Sequence, residues 1–140
     1  MRSLICAASL LGLLTAVVWT STPAGAQDEE KPTIKQIMGK LHKGTKAPLK
    51  AVQAELKGDS PDWGKVETEA KVIEKFGALL SKAEVPRGEQ AAYEGLARAY
   101  GKSAKALNEA AGDKDLAKAR AATKKLGASC KDCHAAHKPQ

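Results

Sequence analysis

Apolar residues recur at intervals of three and four along four successive segments of this chain, and glycine or proline separates the segments. That period is the signature of helices that each bury one stripe. In the first segment, about residues 33–57, the stripe is Ile34, Ile37, Met38, Leu41, Thr45, Leu49, Val52 and Leu56. Thr33, after Pro32, is the expected N-cap. Gly44 and Pro48 predict a kink or a short break. Gly58-Asp59-Ser60-Pro61 reads as a turn. The second segment begins near Pro61 with Ser60 as its cap. It carries Trp63, Val66, Ala70, Ile73, Phe76, Leu79 and Leu80, and ends before Val85-Pro86. The third runs from near Gly88 to about Ala111, with Ala92, Leu96, Ala99, Tyr100, Ser103 and Leu107 inward. Gly112 stops it and Asp113 caps the fourth, Lys114 to about His137. There Leu116, Ala119, Thr123, Leu126, Cys130, Cys133 and His137 line the inner side or its edge. Short connections make an all-α, antiparallel up-down-up-down four-helix bundle the expected architecture. The low aromatic content, 4%, and the abundance of alanine, lysine, leucine and glutamate agree with it.

The chemistry of the chain is concentrated in Cys130-Lys131-Asp132-Cys133-His134. The spacing C-x-x-C-H is the attachment signature of c-type haem. Two thiols two residues apart can add to the two vinyl groups of one porphyrin. The adjacent histidine can then donate a ring nitrogen to iron as the proximal ligand. Three rival readings of the cysteines are weaker. A thioredoxin-like redox pair belongs to an α/β fold, and no segment here reads as a strand. Zinc would need Cys130, Cys133, His134 and His137 to converge, yet adjacent Cys133 and His134 point in different directions on a helix. A disulfide across C-x-x-C would close a very small loop.

Residues 1–26 read as a cleavable secretory signal. Met1-Arg2 is a short positive start, Leu4 to Trp19 is apolar, and Ala24-Gly25-Ala26 is a small-residue cleavage site. The apolar run falls short of the ~20 residues of a spanning helix, so no stable membrane anchor is expected. Cleavage after Ala26 leaves residues 27–140 as one haem-binding domain in the periplasm. In bacteria haem is ligated to C-x-x-C-H outside the cytoplasmic membrane, so motif and address agree. Removing the signal also removes Cys6, and the two remaining cysteines are those of the motif. Fold stability then rests on the core and the cofactor.

The formal charge of the chain is +7, and its lysines are spread along every segment among glutamates. That pattern describes solvated helix faces, with a mildly basic rim suited to an acidic redox partner protein. It holds no arginine cluster or aromatic-basic stripe, so nucleic acid is not an expected partner. No general acid–base constellation stands out, and no enzyme activity is expected.

In an antiparallel bundle the start of the first helix lies beside the end of the last. His134 is about three residues inside the one end and Met38 about five inside the other, and at ~1.5 Å per residue these depths are close. Met38 is therefore a geometric candidate for the sixth iron ligand, the other reading being a space-filling core methionine. His42, one turn further on, is an alternative axial ligand, a propionate partner or a surface histidine. Phe76, Leu79, Leu80, Ala92 and Leu96 are expected to form the apolar wall of the haem pocket. Trp63, Val66, Leu107 and Leu116 are expected to pack the other end.

These features together resemble the class II cytochromes c, the cytochrome c-prime group and its low-spin relatives. The resemblance rests on the C-terminal haem motif, the four helices ahead of it and the pair Ile37-Met38. Lys138 also occupies a position, four after the haem histidine, that is often basic in the family, whereas His137 stands where an aromatic residue is more usual. The resemblance implies one covalent haem c and one of two functions. High-spin members leave the sixth site open behind an apolar screen and bind NO or CO. Low-spin members ligate iron with a methionine of the first helix and transfer electrons, and Met38 points to that branch. Homodimers built through the first two helices are common in the family.

Overall fold

The computed structural model describes residues 32–138, which form five helices and no strand. The helices are α1 (Ile34–His42), α2 (Pro48–Glu55), α3 (Trp63–Leu80), α4 (Gln90–Gly112) and α5 (Leu116–His137). The expected signal sequence and its cleavage point lie outside the described residues. No described helix is long and apolar enough to cross a membrane.

The first predicted helix is two. Thr33 caps α1 as expected: its hydroxyl accepts from Gln36 N–H at 3.3 Å, and Gln36 Oε1 accepts from Thr33 N–H at 2.7 Å. Gly44 takes φ +91°, a left-handed conformation that ordinary side chains avoid, and Pro48 opens α2 at its first turn. The two residues flagged as a kink therefore separate α1 from α2, which together form the first arm of the bundle.

Two predicted caps move by two residues each. Asp62, not Ser60, caps α3, and Asp115, not Asp113, caps α5. In each case a carboxylate accepts the backbone N–H three residues on, at 3.2 Å from Lys65 and 2.9 Å from Lys118. The same lysines approach the carboxylates with their ammonium groups, at 3.2 and 3.0 Å. A charged acceptor with a cation beside it outcompetes a hydroxyl cap. At the end of α4 the chain turns through Lys114, at φ +54°. Lys114 N–H donates to Ala111 O at 3.1 Å and Asp115 N–H to Ala110 O at 2.9 Å. These are the paired bonds of a Schellman stop, with lysine where glycine is usual.

The buried stripe of α4 keeps Tyr100 and Leu107 of the expected face and elsewhere differs from it by one residue. It runs Tyr93, Ala97, Tyr100, Ala104, Leu107 and Ala110–Ala111, whereas Ala92 and Ala99 are exposed and Leu96 is half-buried beside it. The two tyrosines are the largest apolar surfaces on the helix and set its face. Between them and beyond, alanines permit close approach. A Cβ on Gly77 of α3 would lie 3.1 Å from the Tyr100 ring and 3.3 Å from Ala104 Cβ.

The core joins Ile37 and Leu41 of α1, Leu49 and Val52 of α2, Val66 and Ile73 of α3, and Leu126 of α5 to this stripe. Val66 and Leu107 are buried at the far end as expected, with Trp63 and Leu116 packed half-buried against them. Arg120 of α5 ties off the end of α2. Its Nε donates to Leu56 O at 2.8 Å and its Nη2 to Gly58 O at 3.0 Å, so a cation meets the carbonyl end of a helix.

Backbone packing follows a bundle. α3 lies against α4, α4 against α5, and α2 between α3 and α5. α1 packs on α2 and α3, but none of its Cα atoms comes within 8 Å of α5. The first arm therefore meets α5 through α2, and the α1 and α5 backbones stay apart.

The α3–α4 connection is locked to the end of α5. His137 is buried, and its Nδ1–H donates to Arg87 O at 2.9 Å. Gly88 beside it has φ +84°, and a Cβ there would lie 2.8 Å from His137 Nδ1. Gly88→Ala is expected to destabilise the protein by at least the ~1–2 kcal/mol of a left-handed alanine, with displacement of His137 added. Urea denaturation measures this, and an unchanged midpoint would refute the lock.

Candidate haem site

The motif lies on the last two turns of α5, where the helix reaches the α1 end of the bundle. Cys130 and Cys133 are three residues apart on one helix face, and both are half-buried free thiols. Cys130 Sγ sits 3.6 Å from Leu126 O, a weak S–H contact within its own helix. Burial and the neighbouring Cys130 raise the pKa of Cys133, so its thiol is protonated near neutral pH. His134 is exposed at the edge of the site. Among the described residues no three or more His, Cys, Asp or Glu side chains gather to hold a metal ion by themselves. The zinc reading is left without a ligand set.

The wall opposite the thiols is tyrosine. Burial and then the nearby Cys133 push the Tyr93 pKa up to about 12, and its hydroxyl donates to Leu80 O at 2.9 Å. Burial and then Cys130 raise the Tyr100 pKa, and its hydroxyl is buried with no partner. The sequence reading put Ala92 and Leu96 at this place. Tyr93 and Tyr100, seven residues apart, share one helical face, and that spacing was the available signal. Of the other expected wall residues, Leu80 is buried, while Phe76 and Leu79 are half-buried against the core.

From α1, Met38 packs half-buried on the core. His42, one turn on, stands edge-on to Tyr100, with ring centroids 6.4 Å apart and planes at 83°. Its Nε2 is buried without a partner. Burial first, and then the charge of His134, lower its pKa, so the ring is neutral near pH 7. The structure thus brings His42 within electrostatic reach of His134. His137 is not part of this cluster face: besides Arg87 it packs edge-on to Tyr93, with centroids 5.6 Å apart.

These residues fit a covalent haem. The donor set is two free thiols on one face with a histidine beside them, and the structure leaves Tyr100 Oη and His42 Nε2 buried and unpartnered nearby. Such orphaned polar atoms are rare in finished protein interiors and mark places where a further group belongs.

Comparison with known proteins bears on the same region. Residues 87–138, the whole of α4 and α5, match the family model described as Cytochrome C'. No curated protein matches the chain. Among solved structures the chain is similar to cytochrome c' from Thermochromatium tepidum, with 22% identity and a TM-score of 0.53. That similarity covers 66% of this chain and 84% of the other. The all-α bundle and the resemblance drawn from the motif are both borne out. The family implies a covalently bound c-type haem.

Proposed function

We propose, from the premise that this chain is a class II cytochrome c of the cytochrome c-prime group, that it is an exported monohaem electron carrier. Cys130 and Cys133 would hold one haem by two thioether bonds, and His134 would be the proximal ligand. The haem supplies an iron that gains and loses one electron. The protein's residues supply a fixed geometry and a dry wall. Tyr93 and Tyr100 exclude water from the thiol side, the Tyr93–Leu80 bond ties α4 to α3, and the His137–Arg87 bond ties the end of α5 to the α3–α4 connection.

The make-up of α1 carries this reading. At the motif end it carries Met38 and His42, two donor side chains one turn apart, beside the buried Ile37 and Leu41. Met38 is the proposed sixth ligand, since a thioether favours ferrous iron and suits a carrier. The basic surface, +7 for the whole chain, would steer an acidic redox partner protein. Homodimerisation through α1–α2 and α3 is part of the same proposal.

One observation favours the gas-binding alternative: Met38 packs against the core cluster. If it stays there in the loaded protein, iron is five-coordinate and open to NO or CO. The optical spectra of oxidised and reduced protein separate the two. Low-spin bands in both states are the expected result. High-spin bands in both would overturn the carrier in favour of gas binding.

A further inference from the structure

Nε2 of His42 is one of the buried, unpartnered polar atoms of the described residues for which electron transfer with Met38 as ligand finds no task. We propose that His42 is a second iron ligand that alternates with Met38, the imidazole nitrogen binding the ferric state and the thioether the ferrous state. This rests on the six-coordinate reading above and deepens it.

Four observations converge. His42 follows Met38 by four residues, so both side chains leave α1 on neighbouring turns of one face. His42 stands within electrostatic reach of His134 of α5. The Tyr100 ring, edge-on, fixes the imidazole while leaving Nε2 without a partner. Finally, α1 has only nine residues and ends at His42, followed by extended Lys43 and by Gly44 at φ +91° with nothing within 4 Å of its Cβ position. The Gly44 joint separates this short helix from α2, while Ile37 and Leu41 seat it in the core.

Ligand chemistry supplies the direction. A thioether is soft and stabilises ferrous iron, whereas neutral imidazole is the better partner for the harder ferric ion. The exchange transfers no electron of its own. It follows the electron that arrives from or leaves to the redox partner.

The test uses the exported, haem-loaded full chain and its His42→Ala, His42→Gln and Met38→Ala variants. Circular dichroism checks the helicity of each, and the glutamine variant keeps a polar side chain should alanine disturb α1. In the wild type, ferric electron paramagnetic resonance is expected to show two imidazoles and no long-wavelength sulfur-to-iron absorption. Ferrous NMR is expected to show one strongly shifted methionine methyl. Both His42 variants should gain the sulfur-to-iron band when oxidised and keep the ferrous methyl signal. Met38→Ala should lose that methyl signal and leave the ferric resonance unchanged. The proposal is overturned if the wild-type ferric protein already shows the sulfur band and the His42 variants leave its resonance unchanged. It also fails if no ferrous methionine methyl is present. High-spin iron in both states would overturn the carrier reading itself, a different failure.

Discussion

Replacing both Cys130 and Cys133 by alanine is expected to give a colourless chain with reduced helicity and a broad thermal transition. Many of the buried side chains of this bundle are small: Ala70, Ala83, Ala97, Ala104, Ala110, Ala111, Ala119 and Ala122 are all core residues. Cys130 and Cys133 are free, so no disulfide between them limits the unfolded state. At the motif end the wall residues Phe76, Leu79 and Met38 are only half-buried. A bound haem would supply the apolar volume they lack, and anything that binds only the folded state stabilises it. The midpoint is expected to fall by roughly 10 °C or more, about 2–3 kcal/mol for a domain of this size. Circular dichroism melts of the two proteins measure it, and a sharp transition at the holoprotein's midpoint would contradict the account.

Met38→Ala is expected to turn the low-spin spectrum of the reduced protein high-spin and to open the iron to CO. The reduction potential should fall, because the ligand that favours ferrous iron is gone. Loss of a half-buried side chain should lower stability by about 1–2 kcal/mol, below the ~2–5 of a fully buried one. Spectra under CO and a redox titration read both effects. A reduced spectrum unchanged by the substitution would place Met38 in the core and not on iron.

Much of this was legible in the residues. Stripes with a strong apolar contrast, such as Val66-Ala70-Ile73 and Ala119-Thr123-Leu126, face the core as their period predicts. Gly44 and Pro48 marked the α1–α2 break because glycine permits the left-handed turn and proline fixes φ at a helix start. The face of α4 was harder to read. That helix is so rich in alanine that several stripes score alike, and only the partner surface decides among them. Gly77 on α3 admits the Tyr100 ring, which the expected stripe included, and Tyr93 and Ala97 take the places expected of Ala92 and Leu96. Asp62 and Asp115 displaced nearer caps because lysines three residues on reward a carboxylate, an effect of the pair that single-residue preference misses. Arg120 and His137 were invisible for another reason. Their partners are backbone carbonyls, which carry no sequence signal, 50 or more positions away.

The site itself split along the same line. The C-x-x-C-H spacing pointed to a c-type haem, which the family match supports, and to His134 as the proposed proximal ligand. The surroundings of the site depended on packing: Tyr100 was expected inward and His42 near the iron, but Tyr93 and the edge-on His42–Tyr100 contact came into view only with the fold.

The central claim is a haem bound covalently through Cys130 and Cys133, and one measurement meets it directly. The exported chain is denatured, extracted with acid acetone, and its intact mass determined. The account predicts that the red colour stays with the protein and that the mass exceeds that of the polypeptide by one haem. Colourless protein of bare polypeptide mass would contradict it.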